Sequence, residues 1–232
     1  MQTMNITAIL YSAAVWIIPL VIAIVLHEVS HGWVANALGD PTAKRLGRLS
    51  VNPITHVDPV GTILLPLGLA IAHLPVFGWA KPVPVAFNRL RNPRLGMILV
   101  AAAGPAMNLA LALLGTIMLA IGVAAWTGGT PTGTLGFLFD NLINFVAINV
   151  FLAIFNMLPI PPFDGGHVVQ GLLPPPLAKR YARLGRYGFP LLLFLLVILP
   201  MMMPGANLVS RVIGPPSDAL IRFLLGSAGL SV

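Results

Sequence analysis

Cysteine is missing from this sequence, so no disulfide can staple the chain and no thiolate can hold a metal. Charge is scarce as well: Asp, Glu, Lys and Arg together make up 8% of the residues, against about 25% in an ordinary soluble domain. With 57% hydrophobic residues, that scarcity excludes water as the main solvent. Acidic side chains are the rarest, six in all, with Glu28 the single glutamate. No Lys or Arg precedes Lys44, and the first apolar stretch is too long for a signal core, so a cleaved signal peptide is not expected. The thirteen basic residues and net charge of +7 come with no nucleic-acid-binding motif. They fall in a few blocks between apolar segments, as in loops that face anionic lipid headgroups. The lipid bilayer, and not nucleic acid, is the expected partner.

Long apolar runs are what the chain has in quantity. Stretches near 8–38, 96–126, 140–160 and 187–203 each reach the length of about 20 residues that crosses a bilayer. Residues 60–77 are apolar but short, and they hold Gly61, Pro66, Gly68, His73 and Pro75. Residues 207–225 carry Arg211, Asp218 and Arg222, which suits a tilted or interfacial helix better than a clean span. The expected fold is an all-α polytopic membrane protein of about four to six transmembrane helices, with a re-entrant segment near 60–77. No internal repeat is present.

Charge placement predicts the topology. Lys44, Arg45 and Arg48 follow the first apolar run; Lys81, Arg89, Arg91 and Arg94 precede the second; Lys179, Arg180, Arg183 and Arg186 precede the last. The connection 127–139 has no charge. The positive-inside rule then puts 39–95 and 161–186 in the cytoplasm. That path requires 60–77 to enter and leave by one face, which glycines and prolines permit where protein or a water cavity covers the backbone. An ordinary crossing there is the alternative.

The chemistry is concentrated in His27-Glu28-Val29-Ser30-His31, an H-E-x-x-H pattern. On a helix, residues i and i+4 share a face, so both imidazoles can reach one metal ion. Glu28, one position on, can meet a water at that ion. Two helix-packing histidines are the plainer reading, but it leaves a lone carboxylate in an apolar helix unexplained. Catalytic zinc takes three protein ligands. Asp40, Asp58, Asp140 and Asp218 lie in expected loops or at helix ends, where solvated carboxylates are the default. Asp164 differs, because Pro159, Pro161 and Pro162 precede it and Gly165-Gly166 follow. Such a bent segment can aim one oxygen inward, although a turn aspartate explains the same residues equally well. The topology favours the ligand, because both motifs then arrive on the cytoplasmic side. His167 is a candidate to orient Asp164; His56 and His73 read as loop or cavity-lining residues.

These residues resemble the site-2 protease family of intramembrane metalloproteases, in its short branch of compact bacterial and archaeal members. His27–His31 is similar to the family's zinc helix, and Asn156 to Gly165 to its second motif, which ends in Asp-Gly. Residues 47–53, 56–61 and 77–85 and Ala103-Gly104-Pro105-Ala106-Met107-Asn108 match in the same order, so the likeness spans roughly 20–170. It implies one catalytic zinc ion held by His27, His31 and Asp164, with Glu28 as the catalytic glutamate. Asn108, Asn156 and His167 would contact substrate or support the ligands. It also implies a single membrane-embedded domain over 1–232, with a core of roughly 8–170, C-terminal helices at roughly 187–225, and no PDZ or nucleotide-sensing domain. The substrate would be a transmembrane protein cut in or near its spanning segment, in a prokaryotic cell membrane, with the site toward the cytoplasm. The 60–85 region is expected to offer an extended edge to an unwound substrate. A transporter or channel with a buried His/Asp metal site, or a scaffold around a structural metal, is the rival reading.

Overall fold

The computed structural model describes residues 6–202, apart from 73, 75 and 77, and residues 209–230; His73 lies outside them. Four of the described helices are long and apolar enough to cross a membrane. These are α1 (Ile6–Ala37), α3 (Pro93–Ala125), α4 (Gly133–Asn156) and α6 (Pro175–Met202). Between them lie α2 (Pro59–Ile71) and the short α5 (Asp164–Leu172), and α7 (Gly214–Ser227) follows. No strand occurs among the described residues. The chain is thus an all-α polytopic membrane protein. Side chains such as Ile9, Trp16, Ile17, Leu113 and Ile121 stay exposed along the long helices. They are the lipid-facing surface.

Packing explains how α1 survives a proline in its interior. Pro19 has no N–H to give the carbonyl of Val15, which in a regular helix is left bare. The Asn144 side chain of α4 donates to that carbonyl instead, at 2.9 Å, so a polar group supplied by a neighbour keeps the helix whole inside the bilayer. Helices α3 and α4 form a close hairpin. A Cβ on Gly115 would stand 3.0 Å from Phe145 and Val146, so glycine there sets the helix separation. Ala112, Leu119, Val146, Val150, Leu225 and Ala228 make the core that α7 joins.

The described part of the segment near 60–77 holds one short helix, α2. Asp58 caps α2 by accepting from the N–H groups of Val60 and Gly61. At about 1.5 Å per residue, the helix it starts is too short to cross about 30 Å of hydrocarbon. The Arg91 N–H reaches the carbonyl of Leu38 at 3.0 Å, so α3 starts beside the end of α1, and the two run antiparallel. Helix α7 is likewise too short to cross, in line with the amphipathic reading of 207–225. The expected extended region 60–85 is corrected in part, because Pro59–Ile71 is helical. The non-helical strip that follows runs past the site at Trp79–Ala86.

Candidate metal centre

His27 and His31 stand one turn apart on α1, both buried, about 15 and 9 Å from its C-terminal end at 1.5 Å per residue. Their rings meet edge to face with centroids 4.8 Å apart. The two Nε2 atoms are 3.2 Å apart. Asp164 opens α5 and brings Oδ2 to 3.2 Å from His27 Nε2 and Oδ1 to 3.5 Å from His31 Nε2. These three are the group among the described residues with ligand atoms close enough to share an ion, all within 4.8 Å of one another.

The far side of each ring decides what its near side can do. His31 Nδ1 is 2.7 Å from the carbonyl oxygen of Val100, and a carbonyl only accepts. His27 Nδ1 is 2.6 Å from Asn108 Oδ1. Both Nδ1 atoms therefore carry the proton, and in the neutral rings both Nε2 atoms present lone pairs. Opposite them, Asp164 Oδ2 is buried without a hydrogen-bond donor. Two imidazole lone pairs and a carboxylate face one another with nothing to share, an arrangement that calls for a cation. Two ligand atoms at about 2.0–2.1 Å from a tetrahedral zinc stand about 3.3 Å apart. The 3.2 Å between the two Nε2 atoms and the 3.2 Å from His27 Nε2 to Asp164 Oδ2 are close to that spacing, while the 3.5 Å contact of His31 Nε2 is to the other carboxylate oxygen, Oδ1.

The glycines here are required by space and not by backbone freedom. A Cβ on Gly104 would sit 2.6 Å from His27 Nε2 and 2.6 Å from His31 Cε1. One on Gly165 would lie 2.5 Å from the Leu158 carbonyl oxygen, and one on Gly166 about 3.0 Å from Ile160. The proline-bent loop thus folds tightly over the first turn of α5, which is how it aims Asp164 inward. Arg94, which the sequence marked only as a topology charge, holds the other end of α5. Its guanidinium donates to the carbonyls of Gly171, Leu172 and Leu173 at 2.6, 2.9 and 2.8 Å, where a helix leaves acceptors unpaired.

Glu28 is half-buried, and its Oε2 accepts the Val83 N–H at 3.0 Å. The strip bearing Val83 is pinned repeatedly. Trp79 N–H bonds the Gly61 carbonyl and Lys81 N–H the His56 carbonyl, while Arg48 bonds the Lys81 carbonyl.

Asp40 completes the pinning and corrects an expectation. It is not a solvated loop carboxylate but fully buried, accepting from Ala86 N–H at 2.6 Å and from the Thr42 hydroxyl and N–H. Burial alone raises its pKa, yet the bonds from Thr42 and Ala86 and the charge of Arg89 outweigh that and hold it below the ordinary value. A depressed folded pKa contributes stability above the unfolded value, near about 3.9, and loses it as pH falls through the folded one. Asp40→Ala is expected to cost about 1–3 kcal/mol by stranding buried donors. Thermal melts should show a difference from the parent protein that is constant above about pH 5 and shrinks toward pH 3. A difference that does not vary over that range would remove the carboxylate's charge from the account.

The supporting candidates divide. Asn108 is fully buried against His27. The amide NH2 of Asn156 donates to the Leu152 carbonyl of its own helix at 3.0 Å. His167 lies one turn after Asp164, and its ring sits tilted at 45° to that of Phe87, with centroids 5.5 Å apart; burial lowers its pKa against the pull of Asp164. His56 is buried and donates to the Ser50 carbonyl. Asn149, which the sequence reading passed over, accepts from Asn108 at 2.8 Å. A buried amide in an apolar span was the signal that could have found it.

Comparison with known proteins gives the family. Residues 121–199 match Peptidase family M50. A Bacillus subtilis (strain 168) protein named "Putative zinc metalloprotease YwhC" is 38% identical over 182 residues, 78% of this chain and 79% of its own length. The chain belongs to peptidase family M50. Two relatives named "Putative zinc metalloprotease Rip2" are more distant. The one from Mycolicibacterium smegmatis is 28% identical over 173 residues, and the one from Mycobacterium tuberculosis (strain H37Rv) 29% over 184. This chain spans 62% and 63% of their lengths, with 74% and 76% of its own residues. No solved structure matches it. The M50 chain is therefore a site-2 protease-like zinc metalloprotease in a membrane, and zinc is its expected cofactor.

Proposed function

We propose that this M50 protease hydrolyses peptide bonds within or near the transmembrane segments of other membrane proteins, with residues 1–232 acting as one membrane-embedded unit. The observation that carries this reading is the meeting of two Nε2 lone pairs and an undonated carboxylate inside a bundle of membrane-length helices. His27, His31 and Asp164 would hold one zinc ion. The basic blocks at 44–48, 81–94 and 179–186 flank the C-terminal end of α1, the start of α3 and the end of α5. That placement supports a centre open toward the cytoplasm of a prokaryotic cell.

Zinc, when bound, supplies Lewis acidity, which polarises a peptide carbonyl and lets water lose a proton near neutral pH. Glu28 receives that proton on a carboxylate steadied by the Val83 N–H, and it returns the proton to the departing amine nitrogen. Arg94 and the packing of Gly165 and Gly166 keep Asp164 aimed while the reaction runs. The substrate helix must unwind first, because its carbonyls are otherwise bonded and covered. The Trp79–Ala86 strip, beside Glu28, is the surface against which an unwound segment would lie.

The test uses the purified full chain with a transmembrane peptide substrate. Chelation of zinc is expected to stop cleavage, and added zinc to restore it. Cleavage that persists in zinc-free protein would end the proposal. In vesicles, the same protein is expected to pass no zinc across the bilayer; steady flux would favour a transporter.

A further inference from the structure

Asn149 is not among the three residues whose ligand atoms converge, yet it ends a chain of hydrogen bonds that begins at one of them. Its Nδ2 donates to the Phe145 carbonyl of its own helix at 2.8 Å. A backbone carbonyl can only accept, so this bond fixes which end of the Asn149 amide faces it. The other end, Oδ1, then faces Asn108 and accepts a hydrogen bond from Asn108 Nδ2 at 2.8 Å. With its NH2 so engaged, Asn108 turns Oδ1 to His27 Nδ1 at 2.6 Å. Asn108 and Asn149 are both fully buried, so water does not substitute for these partners. A second acceptor, the Ala23 carbonyl, is farther from Asn108 Nδ2, at 3.3 Å.

We propose that Asn149 is a positioning residue that sets the tautomer of His27. By holding Asn108 oxygen-first toward Nδ1, it forces the proton onto that nitrogen and leaves the Nε2 lone pair aimed at His31 and Asp164. Were the Asn108 amide to turn over, its NH2 would face Nδ1. The imidazole proton would then move to Nε2, where it blocks ligation. His31 needs no such relay, because a main-chain carbonyl, that of Val100, already sets it. The asymmetry means that one ligand's chemistry depends on a side chain two hydrogen bonds away. The inference rests on the zinc centre proposed above and names what keeps that centre competent.

The experiment reads zinc affinity of the full-length protein in detergent by competition with a chromophoric chelator. It also reads the ring nitrogens of His27 by 15N NMR in zinc-free protein. The wild type is expected to show the Nδ1–H tautomer. Asn149→Leu is expected to lower zinc affinity about 10–100-fold, the usual effect of losing a partner behind a ligand, and to populate Nε2–H. Asn149→Asp keeps an acceptor toward Asn108 and is expected to stay within a few-fold of wild type. Adding Asn108→Asp to Asn149→Leu is expected to restore affinity, because both carboxylate oxygens accept whichever way the group turns. A merely structural role for Asn149 predicts no such recovery.

The proposal is overturned by an Nε2–H tautomer in the wild type, by wild-type affinity in Asn149→Leu, or by a double variant as weak as the single one. If Asn149→Leu does not fold, the wild-type tautomer and Asn149→Asp decide the matter. A wild-type protein that binds no zinc would instead sink the zinc centre itself.

Discussion

Glu28→Gln is expected to abolish cleavage of a transmembrane substrate while the protein keeps its zinc. Glutamine has nearly the shape of glutamate and retains an oxygen for the Val83 N–H, now 3.0 Å from Glu28 Oε2, so the local packing survives. What disappears is the ability to take a proton and give it back, a role worth about 10²–10⁴ in rate. The fall in kcat should be at least about 10²-fold, with zinc content unchanged within error. Because Glu28 is not among the three residues whose ligand atoms converge, metal loss in this variant would assign it to the ligands instead. Retained cleavage would remove it from the chemistry. The measurement pairs initial rates with zinc quantified in the same preparation.

Gly104→Ala is the second large effect, and it arises from a residue without a functional group. The added methyl carbon would stand 2.6 Å from His27 Nε2, inside any contact that real side chains make. Neither ring can yield and still bind, since each is tied by Nδ1, to Asn108 and to the Val100 carbonyl. Overpacking of this kind costs about 1–3 kcal/mol of stability. The larger consequence is a centre forced apart, with zinc affinity expected to fall by more than about 10²-fold. Gly68→Ala is the matched control, because nothing lies within 4 Å of a Cβ there, and it should bind zinc as the parent does. Equal affinity in Gly104→Ala would show that the helices separate more easily than their packing suggests.

Legibility in the sequence followed the range of the interaction. The spans were readable because apolar run length is a local property, and their observed ends fall within a few residues of the expected ones, except that α4 begins at Gly133 and not near 140, and except for the start of α6. That helix begins at Pro175 and not near 187, because α6 takes in the basic stretch 179–186. Asp40 was misread because its environment is made by Ala86, 46 residues away.

The sequence by itself determined the solvent, the helix count within narrow bounds, and the pairing of His27 with His31. Helical spacing of four residues brings two side chains together whatever surrounds them. Only the tertiary structure decided that Asp164 faces that pair, that Gly104 leaves the space for it, and that Asn108, 81 residues from His27, is turned by Asn149. The physical reason is directional. A hydrogen bond's donor and acceptor ends, and the room for an ion, are fixed by neighbours that meet only when separate helices pack.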